Sequence, residues 1–185
     1  MCGRYAITAS AEHLAVIFDA MWEEACRELA SSSLPRFNIA PTQMAPVVRT
    51  LDGARRLSWL RWGLVPSWAD DPSIGSRMIN ARLESAAEKP SFRKAWRQRR
   101  CLVPATHFYE WPRVGARKQQ TANSAMANEP GAEGAVVALA FAGLWESWHG
   151  ELESFTILTT EADDVMRPIH DRMPLILPRD RWAQW

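Results

Sequence analysis

Apolar residues recur at helical spacing early in the chain: Leu14, Ile17, Phe18, Met21, Ala25 and Leu29 fall on one face. With Ser10 as N-cap, the pattern predicts one amphipathic helix over residues 10–30, stopped by Ser31-Ser32-Ser33 and Pro35. Cys26 lies beside the stripe as a small core residue. Arg36-Phe37-Asn38-Ile39-Ala40-Pro41 then reads as an extended segment. Residues 46–50 and 56–62 read as strands joined at Asp52-Gly53, residues that accept the positive φ of a tight hairpin turn. Residues 63–72, with Pro66 and Pro72, read as a loop. Residues 84–99 read as one or two short helices interrupted at Pro90, followed by strands at 100–104 and 108–111.

Periodicity vanishes over residues 115–134, a polar stretch read as a mobile insertion rather than a linker between domains. Residues 135–144 and 154–160 are β-rich and predict central strands. Residues 163–167 suggest a helical turn, 175–177 a strand, and residue 180 onward a helix. There is no internal repeat and no βαβ alternation. The expectation is a single α+β domain over residues 1–185, with a mostly antiparallel, barrel-like sheet flanked by short helices.

A chain of 185 residues with 47% apolar content can bury a sizeable core. Its net charge of +1 argues against a polybasic binder, but the charge is unevenly spread. Residues 89–100 carry six Lys/Arg and no acid, and Arg55, Arg56 and Arg61 form a second basic group. Such patches suit either a bounded nucleic-acid contact or a solvated helix face. Of ten tryptophans, Trp59, Trp62 and Trp68 sit beside arginines, a combination suited to stacking on bases. Cys2, Cys26 and Cys101 are few and far apart, which suits a reducing cytoplasm and offers no metal-ligand spacing. No signal peptide is visible, and no apolar run approaches the roughly 20 residues that span a bilayer. The expectation is a cytoplasmic protein without membrane, metal or organic cofactor.

Cys2 stands out chemically. Once Met1 is removed it becomes the N-terminus, with an amine and a thiol on adjacent carbons. The amine can form a Schiff base with an aldehyde, and the thiol can then close a five-membered thiazolidine. With ordinary values near 8 and 8.5, useful fractions of both groups are reactive at neutral pH. Glu110 lies among aromatics in Phe108-Tyr109-Glu110-Trp111. Burial there favours the protonated form and so suits a general acid, whereas an outward-facing position would make it ordinary. His170, beside Asp171-Arg172, suits a ring whose tautomer is fixed by a carboxylate, or a purely structural role. Asn80 either orients an amine or carbonyl or closes a turn.

Eight segments in order then resemble one family. They are Met1-Cys2-Gly3-Arg4-Tyr5, Arg36-Phe37-Asn38-Ile39-Ala40-Pro41-Thr42, Trp62-Gly63-Leu64-Val65-Pro66-Ser67-Trp68, Ile79-Asn80-Ala81-Arg82, Cys101-Leu102-Val103-Pro104, Phe108-Tyr109-Glu110-Trp111, Ala142-Gly143-Leu144-Trp145-Glu146 and Ile169-His170-Asp171-Arg172-Met173-Pro174. The chain resembles the SOS response-associated peptidase (SRAP) family along nearly its whole length. The resemblance implies a monomeric protein that binds single-stranded DNA bearing an abasic site. It implies capture of the ring-opened sugar aldehyde by Cys2 as a thiazolidine crosslink that shields the lesion. It also implies autoproteolytic removal of Met1, with possible lyase chemistry, in a protein that joins the nucleoid when on DNA. Carried over by motif, Cys2, Asn80, Glu110 and His170 are the catalytic set. Arg4 and Arg82 hold flanking phosphates, Pro41 and Trp68 form the wedge or stacking surface, and Thr159 hydrogen-bonds nearby.

Three departures from the family pattern stand out. His107 occupies a position where glycine is usual, residues 120–134 are polar where a core strand is expected, and the chain stops at Trp185 without the usual further helix and strand. Two other readings are an N-terminal-nucleophile cysteine amidohydrolase and a non-covalent single-stranded nucleic-acid-binding module. The first leaves the basic and Trp clusters unused, and the second leaves Asn80, Glu110 and His170 unused.

Overall fold

The computed structural model describes residues 2–111, 113–114, 117–118, 121–123 and 138–185. The elements, in chain order, begin with β1 (Arg4–Ile7), α1 (Ala11–Phe18), β2 (Met21–Trp22), α2 (Glu24–Ser33), β3 (Arg36–Ile39), β4 (Met44–Leu51) and β5 (Ala54–Trp62). A 3-10 turn (Pro72–Arg77) leads to β6 (Asn80–Arg82), α3 (Leu83–Ala86), α4 (Arg93–Gln98), β7 (Arg100–Ala105) and β8 (His107–Glu110). Then come β9 (Arg113–Val114), β10 (Arg117–Lys118), β11 (Thr121–Asn123), β12 (Leu139–Trp148), β13 (Leu152–Glu161), β14 (Arg172–Pro174) and β15 (Ile176–Leu177).

Five strands close a barrel. β13, β12, β7, β4 and β5 pair in that order, and β13 returns to β5 in parallel at Ser154↔Arg61 and Phe155↔Trp62. Every other barrel pairing is antiparallel, as the hairpin-rich pattern predicts. The β4–β5 turn places Asp52 at φ 51° and Gly53 at φ 76°, both left-handed, as a two-residue hairpin requires. Val47, Leu57, Leu60, Val103, Phe141, Phe155 and Ile157 are fully buried in the main core. A smaller core packs Phe92 and Ala95, from α4 and the turn before it, together with Ala142, Leu144 and Leu158.

A second sheet, β11-β8-β1-β3, adjoins one end of the barrel. β7 leads into β8 through Thr106, whose backbone N–H donates to the Ala6 carbonyl (2.8 Å). Tyr5 reaches back from this sheet to pack edge-on against Trp62 (5.2 Å between centroids) and Phe141 (6.1 Å). At the other side of the Trp62–Gly63 junction, Gly63 has φ 122°, and a Cβ there would lie 2.5 Å from the Gly75 carbonyl oxygen. Only glycine permits that approach, which folds the loop back towards β6.

The single helix expected over residues 10–30 is two helices. Asp19 turns left-handed (φ 47°), and Met21–Trp22 pairs in parallel with Arg56–Leu57. The Trp22 indole donates to the Ala11 carbonyl (3.0 Å), so the edge-strand pairing and this bond outcompete helix continuation. Leu14 and Phe18 are buried, while Met21 and Leu29 are exposed, so the apolar stripe does not run through. The stretch read as an insertion (residues 115–134) lies mostly outside the described residues. Within it Thr121–Asn123 pairs with β8, so the polar sequence does form a strand beside Glu110. The helix expected from residue 180 is a short 3-10 turn, Arg179–Arg181, after Pro178.

Candidate functional site

The site is built where β1, β6 and β8 meet. The β1–β8 register places Arg4 opposite Tyr109 and Tyr5 opposite Phe108, which brings residue 2 beside the end of β8 at Glu110. Cys2 is fully buried and Glu110 is 2% exposed. The Asn80 side-chain amide donates to the Cys2 carbonyl (2.8 Å). Asn80 is held there by β6, which pairs with β13 at Ile157↔Asn80, and by the Ile79 carbonyl, which accepts from the Trp62 indole (2.9 Å) and the Ile157 N–H (3.1 Å). The other face of the same amide, Asn80 Oδ1, is buried and has no donor among the described residues.

The Cys2 thiol is no ready thiolate. Burial pushes its pKa far up, the negative charge of Glu110 adds to the rise, and the S–H points at the Arg4 carbonyl (3.6 Å). The ordinary thiol value assumed from sequence is therefore corrected: in this closed site the sulfur is protonated at neutral pH.

His170 enters from a turn whose backbone is tied by Asp163 Oδ1 to the N–H groups of Val165 (3.1 Å) and Met166 (2.8 Å). Its Nδ1 accepts from the Arg172 N–H (2.9 Å) and also lies 2.7 Å from Asp171 Oδ1. The two contacts suit different protonation states. In the neutral ring Nδ1 accepts from Arg172 and the proton sits on Nε2; in the charged ring Nδ1–H turns to Asp171. Arg172 is a residue that sequence reasoning left unassigned. Its guanidinium grips both carboxylate oxygens of Glu84 (2.8 and 2.9 Å) and donates to the Thr159 carbonyl (2.6 Å). That hydrogen-bonded pair holds the Glu84 carboxyl below the usual range and raises the Arg172 guanidinium. Residues 84 and 172 carry no sequence signal of their partnership.

Thr159 is fully buried, and its hydroxyl donates to the Ala81 carbonyl (3.4 Å). Its side chain braces β6 from inside the sheet. Arg82 is exposed, and half-buried Arg4 donates to Asn38 Oδ1 (3.0 Å). Pro41 is half-buried in a turn where Thr42 takes a left-handed φ of 70° and donates its N–H to the Trp62 carbonyl (2.8 Å). A β-branched residue there is strained, a feature that clusters at functional sites. Of the three tryptophans read as a stacking surface, only Trp68 is exposed (57%); Trp59 and Trp62 belong to the core. Arg55 and Arg61 instead donate to the carbonyls of Phe18 and Pro72.

His107 joins a chain of contacts along the outer face of β8. Its Nδ1 faces Thr106 Oγ1 (3.2 Å), its Nε2 faces the Tyr109 hydroxyl (3.0 Å), and that hydroxyl donates to the Phe37 carbonyl (2.8 Å). Burial lowers the His107 pKa. Among the described residues no group of three or more His, Cys, Asp or Glu is placed to hold a metal ion, and no helix is long and apolar enough to cross a membrane.

A family model described as SOS response associated peptidase (SRAP) matches residues 1–185. The chain belongs to the SRAP family. It is 36% identical over 189 residues to the abasic site processing protein YoaM of Bacillus subtilis, covering 100% of this chain and 78% of that protein. It is 40% identical over 155 residues to YoqW of the same organism, also an abasic site processing protein, covering 82% of this chain and 66% of that one. A solved structure from Bacteroides thetaiotaomicron superposes with a TM-score of 0.85 at 27% identity, covering 100% of this chain and 80% of that chain. The SRAP assignment and the closed barrel agree with the fold expected from sequence. Of the segments that resemble the family in sequence, those carrying Cys2, Asn80 and Glu110 come together at the buried site.

Proposed function

We propose that this SRAP protein recognises an abasic site in single-stranded DNA and captures its ring-opened sugar covalently through Cys2. The observation that carries the reading is the Asn80 amide, which holds the Cys2 carbonyl while its buried Oδ1 stands ready beside the same residue. Removal of Met1, by the protein's own chemistry, creates an α-amine at residue 2. Asn80 Oδ1 accepts one N–H of that amine and leaves its lone pair free for attack.

The abasic sugar is mainly a closed hemiacetal. Glu110, deep in the site, gives a proton to the ring oxygen as the ring opens, takes one back from the C1 hydroxyl as the aldehyde forms, and passes it to the hydroxyl that leaves the carbinolamine as water. His170 moves a proton during imine formation through Nε2, its Nδ1 being held by Arg172. The thiol then adds to the imine carbon: an S–C bond forms, the C=N bond becomes C–N, and the S–H proton passes to nitrogen. The balance for the whole sequence is loss of one water. A protonated thiol suffices, because the imine carbon is held next to it within one residue. Arg4 and Arg82 hold flanking phosphates, and Pro41 and Trp68 supply the wedge and stacking surface.

The test is incubation of Met1-processed protein with a single-stranded oligonucleotide containing one abasic site. A covalent band that survives heating in detergent and vanishes in Cys2→Ala is expected. Absence of any adduct from folded, processed protein sinks the reading.

A further inference from the structure

The run of cations over residues 89–100 takes no part in the capture site. The structure sets it on α4 and the start of β7. Lys89, Arg93, Lys94 and Arg97 are all exposed, and among the described residues none of them has a carboxylate partner. Arg99 differs: it pairs with buried Glu146. Arg93 and Arg97, four apart, lie on one side of α4, whose opposite side buries Ala95 in the smaller core.

This surface is concave and aromatic as well as basic. Arg97, Gln98, Arg100, Thr50, Trp145 and Trp185 line an open hollow of about 330 Å³. Arg100 lies against the Trp185 ring (4.9 Å to its centroid), and Arg49 and Arg99 lie 4.3 and 5.3 Å from that of Trp145. Arg49 and Arg99 are taken up by Glu153, Glu23 and Glu146, so Arg100 against its indole, beside cations without a carboxylate partner among the described residues, forms the surface for phosphates and bases.

Its position gives it a purpose. β7 runs from Arg100, beside the hollow, to Ala105, where Thr106 leads into β8 and the capture site. Six strand residues span about 17 Å. A single strand lying across the capture site needs only a few further nucleotides to reach α4.

We propose that α4 and the adjoining hollow form a second, sequence-independent site that holds the phosphate backbone of a single-stranded DNA arm several nucleotides from the lesion. It rests on the capture reading for the lesion, but not for the contact itself. Arg93, Lys94 and Arg97 neutralise phosphates, and the hollow beside Trp145 accepts a base edge or ring.

The experiment compares a short oligonucleotide (about 6 nucleotides) with a long one (about 20), each with a central abasic site and each in an undamaged form. The protein is wild type, the charge reversal Arg93→Glu/Lys94→Glu/Arg97→Glu, and the milder Arg93→Gln/Lys94→Gln/Arg97→Gln. For the long strand, the reversal is expected to weaken binding about tenfold or more. It should also lower the slope of log K against log salt by about 2, since each single-strand phosphate contact contributes roughly 0.7. The Gln variant should show the same slope change with a smaller loss, and unfolding curves should match wild type. Binding and adduct formation with the short strand should be unchanged. Equal weakening for both lengths, or no length-dependent change in either variant, overturns the proposal. So does a long-strand loss without a change in salt slope. If no strand forms an adduct, the capture reading fails, while binding of the two undamaged lengths still tests this second site.

Discussion

At Cys2, burial and the charge of Glu110 push the thiol in the same direction, towards the protonated form. The proposed chemistry therefore begins at nitrogen, and Glu110, once it has taken up a proton, is the donor that the sugar needs first. Glu110→Gln keeps the shape but cannot transfer the proton. Adduct formation is expected to slow by about 10²-fold or more, with binding of undamaged single-stranded DNA near normal. Comparable loss of both would make Glu110 a structural residue. His107 offers a separate test through folding. Burial lowers its folded pKa below the ordinary 6.5, so between these values the unfolded chain binds more protons and stability rises with pH. Denaturant unfolding should show wild type losing stability as pH falls from about 6.5 through the lowered value. His107→Gln should lack that component, and identical pH profiles would contradict the assignment. At this scale the sequence was informative about identity and poor about state. The Asn80–Cys2 contact joins two residues that the sequence singles out, but the raised thiol depends on burial that residue order does not display. Thr159 was legible as a strand residue, yet its inward direction follows from the β13 register with β6 and β14.

At the scale of elements, the site depends on strands that are far apart in sequence. β6 carries Asn80, and β14 opens with Arg172; both pair with β13. The Glu84–Arg172 pair ties the start of α3 to β14, and the Arg172 N–H fixes Nδ1 of His170. Arg172 is thus a positioning residue for His170. Glu84 is half-exposed, so the pair's contribution to global stability is small. Glu84→Gln should slow adduct formation by a few-fold, shift its pH profile and leave undamaged-strand affinity intact. Glu84→Asp should restore part of the rate. An unchanged pH profile would remove the link to His170. The β4–β5 hairpin and the interruption between α3 and α4 were legible because Asp52-Gly53 and Pro90 are local signals. The break between α1 and α2 was not: Met21–Trp22 leaves the helix to pair with β5, a non-local contact that defeats a continuous apolar period.

At the scale of the molecule, the barrel puts chemistry and charge in different places. Cys2, Asn80 and Glu110 gather where the four-stranded sheet adjoins one end, while α4 carries Arg93, Lys94 and Arg97, which have no carboxylate partner among the described residues. The near-neutral net charge hid this division, although the run over residues 89–100 announced it. Closure through the parallel β13–β5 pair was not legible, because registers between distant strands leave no local mark. The barrel-like, mostly antiparallel sheet itself was expected from the run of strand segments without βαβ alternation.

The central claim is that both nucleophiles of an N-terminal Cys2 end up bonded to one sugar carbon. The most direct measurement is the intact mass of the adduct formed by Met1-processed protein with an abasic oligonucleotide, followed by mapping of the attachment residue and treatment with borohydride. A mass equal to protein plus oligonucleotide minus one water is predicted, with attachment at Cys2 and no mass increase from borohydride because the imine has been consumed by the ring. An adduct that borohydride reduces, one mapped to another residue, or one formed equally well by Cys2→Ala would contradict the account.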